Sequence, residues 1–266
     1  RRQRQMCIRD RVGYMLAGGV IALIGAVGAL WIDAATFLIS SAIIWSIRYK
    51  ENLQGAKQTV KGVIQDFAEG FRFIRASRTI QTVSLIGLLI NFGIMPLTVF
   101  QTPYVSDYLK MGPETLSYIK ILTSVGMITG SALLPKLGKI KTPVIAVAAG
   151  VIMGAALIEM SIAQSLSTPV LKMGILTLSM LSIGFGGGLL NVIIGSSVMK
   201  AVPKEMMGRI SGFLTAMMQA SMPVASFICS ALAVYFHIPH ILVFFGSLTL
   251  ICSLALYFRK KLDALS

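Results

Sequence analysis

Apolar runs long enough to cross a lipid bilayer recur along this chain. A spanning helix needs about 20 such residues, and inside lipid only helices and closed barrels satisfy their own backbone polar groups. The runs lack the two-residue alternation of a transmembrane barrel. Charged residues make up only 13% of the chain, against roughly 25% in a soluble domain, and apolar residues make up 55%. Mean hydropathy is +0.79. The sequence therefore predicts an all-α polytopic membrane protein.

Eight spans are expected, at about residues 12–27, 33–47, 80–104, 115–134, 143–161, 170–199, 210–236 and 238–258. The first is short and carries small residues, Gly13, Gly18 and Gly19, suited to close helix packing. Asp33 stands ahead of the second run, where a carboxylate caps helix amides. Trp31 and Trp45 sit near that span's ends as interface anchors. Pro96 and Pro103 predict kinks or breaks in the third span. The fourth span holds Gly126 and Gly130 in a GxxxG spacing, read as a packing motif. The glycines of Gly184-Phe185-Gly186-Gly187-Gly188 allow bending and close neighbours in the sixth.

One long polar segment, residues 49–79, separates the first two spans from the other six. Val63, Ile64, Phe67, Phe71 and Ile74 in its second half recur at helical spacing. Such a helix either lies in the membrane interface or packs on its own protein. Lys and Arg cluster at every second boundary. Twenty-one of the 24 fall on one side, counting 1–11, 48–78, 136–141, 200–209 and 259–261, against Lys110, Lys120 and Lys172. The positive-inside rule puts that side, and both ends of the chain, in the cytoplasm. The same distribution explains the net charge of +14 without nucleic acid.

Residues 1–11 do not share the pattern that follows and are expected to be a non-native leader, with part of the protein missing upstream. Cys7, Cys229 and Cys252 have no metal or redox spacing. His237 and His240 flank Pro239 in a short loop, too few ligands for a metal site. No nucleotide-binding loop, zincin motif or catalytic triad is present, which argues against an ATP-driven pump. No cofactor is expected.

Several local motifs carry a family likeness. Gly13-Tyr14-Met15-Leu16-Ala17-Gly18 is similar to a GPxxAG stretch, with Tyr14 where the proline belongs. Asn191 followed by Val202-Pro203-Lys204-Glu205-Met206-Met207-Gly208-Arg209 is similar to an N…VPxxxxGR loop. With two helices, a basic loop and six more helices, the chain resembles the major facilitator superfamily, in its macrolide-efflux and enterobactin-exporter-like branch. The resemblance implies a truncated major facilitator fold. Residues 12–48 are then the last two helices of the N-terminal half, 49–79 the inter-half linker, and 80–266 the complete C-terminal half. It also implies a proton-coupled efflux transporter of drug, macrolide or siderophore-like molecules, monomeric when full length, in the bacterial inner membrane. A non-transporting membrane scaffold or a membrane-embedded enzyme is the alternative.

Polar residues within spans are costly and mark transport paths. The cavity candidates are Asn91, Gln101, Lys120, Asn191 and Gln219, although interhelical hydrogen bonding is an equal use for the amides. Glu159 is the candidate proton site if buried. Arg209, Glu205 and Gly208 form a candidate latch at the cytoplasmic rim, where Gly208 permits close approach. Met217, Met218 and Met222 offer either an adaptable apolar wall or ordinary packing.

Overall fold

In the computed structural model, the residues described are 28, 31–46, 70–137, 140–203 and 206–258. The first predicted span, residues 1–11, most of the polar linker and Glu205 lie outside them, as do Gly13, Gly18 and Gly19. Contacts divide the chain into two units, residues 1–61 and 62–266.

Among the described residues, the first unit contributes one helix, α1 (Trp31–Ser46). Asp33 lies inside it rather than ahead of it. Its backbone carbonyl accepts from the Thr36 hydroxyl at 2.7 Å. Both Trp31 and Trp45 are exposed at opposite ends of α1.

The second unit begins with a short helix, α2 (70–76). This is the described end of the predicted amphipathic segment. Gly70 packs its backbone against the Phe213 ring. Six membrane-length apolar helices follow: α3 (Arg78–Pro103), α4 (Glu114–Leu133), α5 (Thr142–Ala163), α6 (Pro169–Ala201), α7 (Met207–Ala233) and α8 (Ile238–Phe258). They correspond closely to the third through eighth predicted spans.

The helix ends follow local chemistry. Ser77 caps α3, its hydroxyl accepting from the Ile80 amide at 3.4 Å. Pro143 and Pro169 sit in the first turns of α5 and α6, where a missing N–H costs nothing. Val202 turns extended and Pro203 ends the sixth run. Pro96 is accommodated inside α3, but at Pro103 the helix widens into a π-helical segment, Tyr104–Leu109, ending at Lys110 with φ of 55°. The expected break is therefore a change of helical pitch. His240 lies in the first turn of α8 rather than in a loop.

Hydroxyls along the spans bond back to their own helices, as Ser84 does to Ile80 O at 2.7 Å and Ser253 to Thr249 O at 2.7 Å. No buried side-chain polar atom among the described residues lacks a partner. Burial is uneven. Four of the six spans have 44–50% of their apolar window buried, whereas α4 has 17% and α7 only 11%. These two are edge helices. Contacts run α4 to α6, α6 to α3 and α3 to α7, with α5 and α8 packed behind.

The α4–α6 contact is the tightest. The two helices run parallel in constant register, shown by Tyr118 with Thr177 at 2.9 Å and Ser131 with Gly188 O at 3.4 Å. Gly126 and Gly130 press on the Leu181 and Phe185 carbonyls, and Gly184 and Gly188 press on those of Thr123 and Met127. Any side chain at these four positions would collide with backbone. The predicted GxxxG packing motif thus has a partner, Gly184 with Gly188, and of the two uses expected of those glycines, bending and close neighbours, the contact shown is the close neighbour. Gly186 seats α6 on Ala149 and Met153 of α5, and Gly154 and Gly246 bring α5 and α8 together.

Candidate functional site

A void of about 30 Å³ lies among Ile86, Ile90, Met153, Leu190 and Thr249. It holds about one or two waters. A drug-sized ligand needs a pocket of roughly 300 Å³ or more. The void is too small for such a ligand, and the polar candidates lie instead on α3, α4, α6 and α7.

On α3, α4 and α7 polar residues recur along one helix face. On α4, Lys120, Ser124, Met127 and Ser131 recur at i, i+4, i+7 and i+11, which is one helix face. The Met127 methyl reaches the α-carbon side of Gly187. This places the α4 stripe beside Gly187 and Asn191 of α6. On α7 the same spacing selects Thr215, Gln219, Met222 and Ser226. The flank of α7 on the other side carries Ile228, which packs with Phe245 and Ile241 of α8. The polar stripe of α7 consequently lies away from α8. On α3, Asn91, Ile94, Thr98 and Gln101 form the corresponding row.

Lys120, Asn191, Thr215 and Gln219 are exposed, and Asn91 and Gln101 are half-buried. All five residues expected to face a cavity thus have exposed or half-buried side chains on α3, α4, α6 and α7. Asn91 also serves the helix contact, donating from Nδ2 to Met218 O at 3.4 Å. Met218 lies over Gly87 of α3 and is packing rather than wall, whereas Met222 belongs to the stripe. Thr215 and Ser226 escaped the sequence reading. A lone hydroxyl in a membrane helix is unremarkable until its neighbours show which way it points.

Glu159 is placed elsewhere. It sits on α5, half-buried, and accepts from the buried Ser179 hydroxyl of α6 at 3.4 Å. That contact is on the side of α6 away from the stripes. Arg209 is exposed in the first turn of α7. A side chain added at Gly208 would meet open space, so the close approach expected of it is not made among the described residues.

At the opposite end of the helices, the Tyr104 hydroxyl donates to Met160 O. The Tyr108 hydroxyl accepts from the Ile238 amide at 3.4 Å and lies 3.5 Å from His237 Nδ1. These bonds tie the π-helical segment to α5 and to the start of α8. No group of three metal-ligating side chains occurs among the described residues.

Among the described residues the unit is all-helical with six membrane-length apolar helices, which defines a multi-pass membrane protein. The Major Facilitator Superfamily profile matches residues 12–226, and the chain belongs to that family. It is also similar to the multidrug efflux pump Tap of Mycobacterium tuberculosis (strain H37Rv) and of Mycobacterium bovis (strain BCG / Pasteur 1173P2), at 23% identity over 219 residues in each case. The aligned region covers 80% of this chain and 49% of each relative, so the chain spans about half the length of the curated relatives it matches. No solved structure matches it significantly.

Proposed function

We propose that this chain is part of a secondary active exporter of small amphipathic molecules, drug-, macrolide- or siderophore-like, working by alternating access and driven by protons. The observation that carries the reading is the exposed or half-buried Asn91, Gln101, Lys120, Asn191 and Gln219 on α3, α4, α6 and α7, helices that otherwise expose many large apolar side chains. Membrane-facing amides and an ammonium are costly against lipid. Against a second six-helix half they line a path. The efflux activity named for the similar mycobacterial proteins supports the same reading.

In this reading residues 12–48 close the N-terminal half, 49–79 form the linker, and the full-length protein is a monomer in the inner membrane. The helix ends bearing Arg78, Lys136, Lys141, Lys200 and Arg209 lie on the cytoplasmic side, as do both ends of the chain. Arg209, with Glu205 and Gly208, acts at that rim as a latch against the other half.

The test is expression of the full-length protein in an efflux-deficient bacterial host, with intracellular drug accumulation as the readout. The account predicts lower accumulation of several amphipathic drugs, abolished by a protonophore. Unchanged accumulation across such a panel at verified membrane expression overturns it.

A further inference from the structure

Lys120 is the one charged residue on the stripes of α3, α4 and α7 described above, and Gly187 and Asn191 of α6 beside them are uncharged. Its α-carbon lies about 9 Å along α4 from that of Glu114, at 1.5 Å per residue. Lys120 is exposed, and its neighbours on the stripe are Ser124, Met127 and Ser131. Further polar groups across the face are amides and hydroxyls: Asn91, Thr98, Gln101, Asn191, Thr215, Gln219 and Ser226. The described carboxylates of the six-helix unit are elsewhere. Asp107 is in the π-helical segment, where it accepts from Ser106 at 2.7 Å. Glu114 folds over Gly112 at the helix start. Glu159 is bonded to Ser179 behind α6.

An ammonium makes its strongest hydrogen bonds with a negatively charged acceptor. It repels a cation brought to the same surface. Resting on the exporter reading above, we propose that Lys120 makes this face selective for anionic or zwitterionic amphiphiles, and that it docks their carboxylate or other acidic group near the Glu114 end of α4. The apolar body of such a molecule then lies along Met127 and Met222, whose flexible side chains tolerate varied shapes. Hydroxyls and amides supply adaptable secondary bonds. Lys120 is thus a specificity-determining residue, setting the charge of the cargo, while the rest of the face is permissive about its shape.

The experiment uses the full-length protein in proteoliposomes, with matched aromatic amphiphiles differing in one group: free carboxylate, methyl ester and quaternary ammonium. Wild type, Lys120→Gln and Lys120→Arg are compared. The wild type is expected to prefer the carboxylate over the ester. In Lys120→Gln the carboxylate-to-ester ratio of kcat/KM should fall about tenfold or more, since one charge-assisted contact is lost. The fall should lie in KM, and Lys120→Arg should restore most of the ratio. Equal losses for all three forms in Lys120→Gln overturn the proposal and assign Lys120 to an ion pair with another helix. A wild type that prefers the quaternary ammonium also overturns it while leaving the exporter reading intact. A wild type that moves none of the three forms sinks both.

Discussion

The two edge helices, α4 and α7, carry the same stripe spacing, with a methionine at its third position and a serine at its fourth, yet they are held in opposite ways. α4 is fixed to α6 by backbone on backbone, through Gly126, Gly130, Gly184 and Gly188. Such contacts have two arrangements, seated or separated, and little between. α7 is held to α3 by side chains. Met218 lies on Gly87, Asn91 reaches Met218 O at 3.4 Å, and Pro96 and Pro223 interrupt both backbones. A thioether has three rotatable bonds and re-packs as its neighbour slides. The difference teaches that one wall of the open face is rigid and the other compliant. In an alternating-access cycle, α4 with α6 would move as one body and α7 would adjust against α3.

The largest expected effect tests the rigid wall. Gly184→Leu should cost more than about 3 kcal/mol, because an overpacked contact here meets carbonyl oxygens and not side-chain tips. Monodisperse protein recovered from detergent extracts should fall at least tenfold, and normal recovery would show that α4 is not locked. Next comes the face itself. Asn191→Ala and Gln219→Ala should each raise the KM for exported substrate by roughly threefold to tenfold, the loss of one hydrogen bond, with normal recovery. An unchanged KM in both places the path elsewhere. Gly87→Ala probes the compliant wall. The added methyl meets the far end of Met218, which can retract, so the cost should stay below about 1 kcal/mol by thermal shift. A collapse like that of Gly184→Leu would erase the distinction between the walls. Smallest is Gly208→Ala, facing open space, where helix propensity alone predicts a gain of up to about 1 kcal/mol. Loss of transport at normal stability there would point to a contact with the other half and favour the latch.

How much of this was readable beforehand follows from range. The positions of the third through eighth spans were, because about twenty apolar residues bounded by Pro, Gly and Lys are a local signal. The packing role of Gly126 and Gly130 was, because GxxxG is local too. Their partners Gly184 and Gly188 were not, since that pairing joins residues far apart in sequence and a run of glycines reads equally well as a bend. The polar residues Asn91, Gln101, Lys120, Asn191 and Gln219 stand out against an apolar background. Glu159 stands out in the same way and yet faces Ser179. Composition marks a residue as unusual, and only the neighbouring helix decides which side it serves. Thr215 and Ser226 were missed for the converse reason, being ordinary by type and telling only by position. The π-helical turn after Pro103 had its cause in the sequence, a missing amide, but not its form.

The most direct test of the open face is substrate protection of engineered cysteines in the full-length protein, with Cys7, Cys229 and Cys252 first replaced by serine. Single cysteines at Asn191 and Gln219 are compared with one at Phe244, exposed on α8 at the back of the unit. Modification by a small maleimide should be slowed severalfold by a transported drug at Asn191→Cys and Gln219→Cys, and left unchanged at Phe244→Cys. Equal rates with and without drug at both stripe positions, in protein that still transports, would contradict the account.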